Sequence, residues 1–372
     1  MPAAADIVVI GAGIIGCAIA DELARRGAAV QVVDPRAAGM GATQASAGVL
    51  APYIEAHEGT PLLELAVRSL DLYDEFVARI VTDSGIAVPY RRTGTLDVAF
   101  NERDLRALEA NAAVLERLGV SAALLSAAGT RDEEPQVGET ACGALLVEAH
   151  GFVGASDLTR ALAMAARRRG AHFLEPGRVN RIVQRGTDAV VETDNGLLAC
   201  TSVVLAAGSW SGELPIDGID VRPPVRPVRG QLLSLAWQGP PLRRVTWSSR
   251  CYLVPWDDGT LLVGATVEEV GFDERATADG VRGLLEAACD VTPQARSAGF
   301  TAARVGLRPA TIDGLPLVGA SSVLPSLMYA TGHYRNGVLL APLTARLVAD
   351  AMLDHRVDPM LAPLSPARFG AL

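Results

Sequence analysis

Ile7-Val8-Val9-Ile10-Gly11-Ala12-Gly13-Ile14-Ile15-Gly16, continued by Val30-Gln31-Val32-Val33-Asp34, decides the fold. The first four residues are a continuous apolar run rich in β-branched side chains, which predicts a strand buried on both faces. A helix-forming stretch follows to about Arg26, Gly27 stops it, and residues 30–33 read as a second strand. Strand, glycine turn, helix, second strand and terminal acid thus stand in register within about 30 residues, the layout of a dinucleotide-binding unit. Gly11 permits the tight turn, Gly13 lets a pyrophosphate approach the backbone, and Gly16 lets the helix pack on the strand. Ala12, Ile14 and Ile15 complete the turn, whose helix N-terminus offers free N–H groups to phosphate. Asp34, followed by Pro35, sits where a carboxylate accepts hydrogen bonds from ribose hydroxyls, which disfavours a 2′-phosphate. The motif by itself serves NAD and FAD equally.

Working outward, residues 39–50 form a run of small residues that includes Ala42, Thr43, Ala47, Gly48 and Val49. Backbone so poor in bulk suits close approach to a large planar ligand, whereas a flexible linker would carry charge and would not end in apolar residues. Helical periodicity runs from about 60 to 80, alternation appears near 90–100, and a helix is expected near 102–118, so a second lobe is expected to begin near residue 85. A helix over 156–169 precedes a hairpin-like pair at 177–185 and 188–193, with Asn195-Gly196 as the turn into a third strand. Residues 202–210 are another buried strand running through Ala207 into Gly208, so the cofactor domain is assembled from separated segments. Residues 229–235, 252–254 and 261–263 read as strands of the second lobe, the floor of a substrate pocket.

Composition excludes several classes. The 372 residues carry 49% hydrophobic and 20% charged side chains and a net charge of −9, which describes an ordinary globular protein and not a nucleic-acid binder. Five cysteines without paired spacing and five scattered histidines point to neither a disulfide framework nor a metal site, and fit a reducing cytoplasm. The apolar stretch 7–20 lacks a basic leader and is interrupted by glycines, so it does not read as a secretory signal, and no run reaches membrane-span length.

The C-terminal third is the most specific. Gly306-Leu307-Arg308-Pro309 leads to Asp313-Gly314-Leu315-Pro316-Leu317-Val318-Gly319, and then to Tyr329-Ala330-Thr331-Gly332-His333-Tyr334-Arg335-Asn336-Gly337-Val338-Leu339-Leu340-Ala341-Pro342. The last stretch predicts a strand, a glycine loop and a helix to about 353, a second anion site at a helix N-terminus. With the turn at 11–16, Asp34, the 42–52 loop, the 203–210 strand and Arg250-Cys251-Tyr252, these motifs resemble the glycine oxidase branch of the D-amino acid oxidase superfamily over nearly the whole chain.

The resemblance implies an α/β fold: a two-lobed flavoprotein with a Rossmann-type FAD-binding domain and an α+β substrate domain bearing an antiparallel sheet. Residues 1–84, 147–222 and 306–372 would form the discontinuous FAD-binding domain, and 85–146 with 223–305 the substrate domain. It implies non-covalent FAD lined by Ala42, Thr43, Ala47, Gly48, Val49, Ala207 and Gly208, a backbone contact from Val179 on the adenine side, and a wrap from His333 to Leu339 around the isoalloxazine edge. Arg308 would fork onto the substrate carboxylate, Tyr252 would add a hydroxyl, and Arg335 would lie beside flavin and substrate. Arg250 stands where the family often has histidine; at the pocket mouth it would admit a larger or doubly anionic substrate.

The implied activity is oxidative deamination of glycine or another small amino acid or amine by hydride transfer to flavin, with no acid/base residue. Imine, 2-oxo acid and ammonia would follow, oxygen would be reduced to peroxide, and the glycine imine can feed thiamine synthesis in the family. A D-amino acid, D-proline or sarcosine dehydrogenase using a non-oxygen acceptor shares the motifs. An NAD dehydrogenase would explain the first 34 residues but not the 332–342 stretch. Homo-oligomerisation is left open.

Overall fold

The computed structural model describes residues 5–55 and 59–372. The N-terminal unit forms as its sequence dictates. Strand Ile7–Ile10 is fully buried, helix Ile14–Arg25 packs over it, and Val30–Val33 lies parallel to it. These strands centre a six-stranded sheet in the order Leu317–Ala320, Leu327–Thr331, Ser202–Leu205, Ile7–Ile10, Val30–Val33, His172–Leu174. All its pairings are parallel except that of Leu317–Ala320 with Leu327–Thr331. Helices Ile14–Arg25, Ala155–Arg168 and Gly337–Leu353 share one apolar core against it, which is why the strands carry no polar face.

A meander of Val179–Arg185, Asp188–Thr193 and Gly196–Cys200 joins the other side; its second turn is Asp194-Asn195, one residue before the Asn195-Gly196 expected, and Gly196 opens the third strand. The larger sheet has eight strands, in the order Gly299–Thr311, Val225–Ala236, Thr260–Gly264, Tyr252–Pro255, Val245–Trp247, Thr95–Ala99, Gly143–Val147, Ala122–Ser126. It is antiparallel but for the parallel contact of Val245–Trp247 with Thr95–Ala99. This is the mixed α/β flavoprotein architecture expected, one mostly parallel sheet and one mostly antiparallel sheet facing a common cavity.

Two further local expectations need revision. The periodicity over 60–80 is two helices, Pro61–Asp71 and Tyr73–Ser84, jointed at Leu72. The buried stripe of Leu63, Ala66, Leu70, Tyr73, Val77 and Ile80 continues across the joint, so a pattern of burial cannot reveal it. The strand expected at 229–235 extends over Val225–Ala236, and Gly299–Thr311 is a 13-residue strand paired with it. Pro227 and Pro309 mask both in the sequence; in the structure the two prolines face one another across the ladder. Gly299–Thr311 also runs unbroken through residues 305 and 306 and carries Arg308.

Candidate active site

The two sheets enclose a cavity of about 880 Å³, within the range that holds a large cofactor. At its parallel-sheet end the turn after Ile10 has Gly11 at φ +106°, a left-handed value, and a Cβ there would lie 2.4 Å from the Ala206 carbonyl. Gly16 does not line the cavity: its missing Cβ would sit 1.9 Å from the Gly11 carbonyl, so it brings helix against turn. Ala12 is also outside the lining; its N–H donates to Asp34 Oδ2 at 2.7 Å. Asp34 Oδ1 accepts the Arg36 N–H at 2.8 Å. Burial raises the Asp34 pKa, and the two backbone donors work against that rise. The Thr43 hydroxyl accepts the Ile14 N–H at 3.1 Å, so the small-residue loop is fastened to the helix start. Gly13, Ile14, Ile15, Pro35, Ala42, Ala47, Gly48, Val49, Val179, Ala207 and Gly208 all line the cavity.

The second helix start closes the other side. In Gly337–Leu353 the first backbone ladder bond runs from Leu340 N–H to the Asn336 carbonyl, so the amides of Gly337, Val338 and Leu339 precede the ladder at the cavity wall. The carbonyls of Val338 and Leu339 are held by the Tyr73 hydroxyl at 2.5 Å and the Ser69 hydroxyl at 2.7 Å, which fixes the direction of the turn. His333 also lines the cavity, yet its Nε2 meets the Thr344 hydroxyl at 3.1 Å, and burial lowers its pKa to about 3, so it is neutral. Tyr334 has φ +49°, a strained value for an aromatic residue, and its N–H donates to the Pro309 carbonyl at 2.9 Å. Loop 333–336 is therefore tied to the strand that carries Arg308.

Arg308 projects from Gly299–Thr311 into the antiparallel end. Its Nη1 donates to the Thr266 carbonyl at 3.0 Å and the Arg229 carbonyl at 3.4 Å. Among the described residues no carboxylate pairs with it, unlike Arg229 beneath, which is bound to Glu268 and Asp273. Tyr252 lines the same end with its ring 4.8 Å from that of Trp247. Arg335 lines it too, its guanidinium 5.2 Å from the Tyr334 ring centre. Arg250 lies at the tip between strands Val245–Trp247 and Tyr252–Pro255, half-exposed and ion-paired with Asp290.

Two residues that make this geometry went unread in the sequence. A Cβ on Gly230 would be 2.3 Å from Arg308 Nη2, and one on Gly264 would be 2.3 Å from the Tyr252 ring. Gly264 is the cross-strand partner of Tyr252, so the lack of a side chain lets the ring lie over the neighbouring strand. A glycine inside a strand pattern was the available signal. Among the described residues no helix is long and apolar enough to cross a membrane, and no cluster could hold a metal ion.

A cavity with a Rossmann turn at one end, a helix start along it and Arg308 at the other is the layout expected of a flavin-dependent oxidoreductase. The chain belongs to the FAD-dependent oxidoreductase family known as DAO, whose model matches residues 6–351. It is 33% identical over 365 residues to a glycine oxidase of Geobacillus kaustophilus, covering 98% of this chain and 97% of that protein. The crystal structure of glycine oxidase from that organism superposes with a TM-score of 0.94 at 33% identity, covering 98% of both chains. It is also 36% identical over 366 residues to the bifunctional protein ThiO/ThiG of a Nostoc species, covering 96% of this chain but spanning only 54% of that protein's length.

Proposed function

We propose that this chain oxidises the Cα–N bond of glycine or another small amino acid, yielding an imine and then a 2-oxo acid and ammonia, with oxygen as electron acceptor. The observation that carries this reading is Arg308: a cation held by two backbone carbonyls, with no carboxylate partner among the described residues, at the end of the cofactor cavity beside Tyr252. The residues present fit FAD. Gly13, whose Cβ would find its nearest protein atom 3.6 Å away, leaves open backbone at the helix start, and Asp34 stands beside it for a ribose. The amides of Gly337, Val338 and Leu339 would hold the ring edge. FAD, when bound, supplies the two-electron hydride acceptor.

The protein's share is orientation. Arg308 presents a planar fork that matches a carboxylate bidentately, which lysine cannot do, and Tyr252 adds a hydroxyl to the same group. Holding the carboxylate fixes the direction of the Cα–H bond. His333 is neutral and turned to Thr344, so it is not placed to take a proton from substrate. The substrate amine therefore has to enter unprotonated, its proton going to solvent, and its lone pair assists loss of the hydride. The five free thiols fit a cytoplasmic setting. The same reading divides the chain into a cofactor unit of residues 1–84, 147–222 and 306–372 and a substrate unit of 85–146 and 223–305.

The test is a visible spectrum of the purified protein followed by an amine panel in air with peroxide detection. A yellow protein that releases FAD on acid treatment and makes peroxide from glycine or sarcosine supports the reading. A flavoprotein that turns over only with an artificial acceptor, on D-proline or another D-amino acid, would replace it with a dehydrogenase.

A further inference from the structure

We infer that the substrate of this site carries two anionic groups, one for the Arg308–Tyr252 clamp and a second for Arg250; this rests on the amine-oxidising reading above. The residues lining the antiparallel end include Trp247, Ser248, Ser249, Arg250, Tyr252 and Arg308, and among the described residues no carboxylate lines that end. The two carboxylates that do line the cavity, Asp34 and Glu213, belong to turns leaving the parallel sheet and the helical turn after Gly208. A glycine-sized substrate offers one carboxylate, whereas three cations, Arg308, Arg335 and Arg250, line this end of the cavity. Arg250, the one at the strand tip, has a built position. Ser248 Oγ accepts the N–H groups of Arg250 at 3.3 Å and Cys251 at 3.2 Å, which closes the turn that carries Arg250 at the cavity wall.

The pair with Asp290 does not occupy Arg250 in a way that excludes substrate. Both side chains are about half exposed, 52% and 55%, and the contact runs from Arg250 Nη1 to Asp290 Oδ2. Exposed ion pairs of this kind are weak and easily exchanged. Asp290 itself stands outside the lining, so a substrate anion inside the cavity competes with it for the Arg250 guanidinium. The class of substrate is an amino-dicarboxylate: an amino acid with a second carboxylate on its nitrogen or on its side chain. The chemistry balances as for the parent reaction. The Cα–H bond breaks with both electrons passing as hydride to FAD, the nitrogen lone pair forms C=N, and its remaining proton leaves to solvent. Water then adds and the C–N bond breaks, releasing the 2-oxo acid with ammonia from a primary amine or an amino acid from one carboxylated on nitrogen.

The experiment uses the FAD-loaded full chain and two readouts. The first compares kcat/KM for iminodiacetate and D-aspartate with those for glycine and sarcosine. The second measures binding of the inert anions succinate and acetate at matched ionic strength by flavin absorbance. The wild type is expected to prefer at least one diacid over glycine tenfold or more, and to bind succinate more tightly than acetate by a similar factor. Arg250→Ala should lower both ratios about tenfold, Arg250→Lys less, and Asp290→Asn should raise them. Opposite shifts in the two variants are not produced by a structural role of the turn. Oxidation of glycine with no diacid preference and ratios unmoved by Arg250→Ala would overturn the inference and leave the amine oxidase reading standing. No oxidation of any amine would overturn that reading itself.

Discussion

Arg308 and the glycine opposite it are a single device. Arg308→Ala should keep FAD but lose the charge-assisted carboxylate contact, a cost of about 2–5 kcal/mol in kcat/KM, with Arg308→Lys recovering part of it. Gly230→Ala should resemble it, because the new Cβ would lie 2.3 Å from the guanidinium and must displace it. A rise in KM of tenfold or more, with flavin content unchanged, is the expected steady-state result. Arg308 was legible in the sequence only through its company of motifs. Gly230 was not, because what demands a glycine there is a side chain some eighty positions away, brought near by the ladder of Val225–Ala236 with Gly299–Thr311. Asp97 makes a second residue-scale case. It lies beside Trp247 in the sheet, and burial, reinforced by Asp104, raises its pKa to about 6. A carboxyl whose folded pKa exceeds its unfolded value near 3.8 favours the fold below that value, and the benefit is lost as pH rises through about 6. Asp97→Asn should therefore gain stability relative to wild type between pH 4 and 7, by at most about 3 kcal/mol, read as a rise in melting temperature that then levels off. A difference independent of pH would contradict this.

Among the elements, the strand–turn–helix unit at the N-terminus gives the sharpest contrast. Gly13 is extended, at φ −71° and ψ −179°, and an added Cβ would find no protein atom nearer than 3.6 Å. Gly16→Ala, by contrast, drives a methyl into the Gly11 carbonyl. Gly13→Ala should leave apoprotein melting unchanged and weaken FAD, because only the cofactor meets the methyl. Gly16→Ala should lower the melting of apoprotein and holoprotein alike, by about 1–3 kcal/mol or more for overpacking. Equal effects of the two substitutions on the apoprotein would contradict the assignment of ligand space to Gly13. This unit was legible because its turn chemistry, helix start and both strands lie within a short span. The joint at Leu72 and the strand halves around Pro227 and Pro309 were not, since pairing with a distant partner overrides the local signal.

For the whole molecule, residues 265–277 act as a strap between the two sheets. Thr266 holds Arg308, Glu268 and Asp273 hold Arg229, and Glu274 reaches Arg36 beyond the second strand with contacts of 2.7 and 2.9 Å. Arg36 also lies over Trp210, which in turn meets Phe272. Both ends of the cavity are thus spanned by one segment. The Arg36–Glu274 pair is about one-third exposed on each side, so its worth is about 0–1 kcal/mol. Glu274→Gln should speed FAD release by no more than about fivefold, and raised salt should produce the same acceleration in the wild type but not in the variant. Stopped-flow transfer of FAD to an apoflavoprotein trap measures this; a variant that releases FAD at the wild-type rate in low salt would remove the strap from cofactor retention.

The sequence alone determined the cofactor half of this protein: Gly11 to Gly16, Asp34, the small-residue loop and the helix start after Asn336 are local patterns, whose backbone geometry follows from the residues themselves. Composition settled the balance of charge and apolar bulk in the same way. What the tertiary structure alone decided is which side chains face one another at the substrate end. Arg308 is left without a carboxylate partner among the described residues, while Arg229, on the next strand, is neutralised by two. Arg250 meets Asp290, and Gly264 makes room for Tyr252. Those relations join segments far apart in the chain, and a charge or a missing methyl acquires its meaning only from the neighbour that folding places against it.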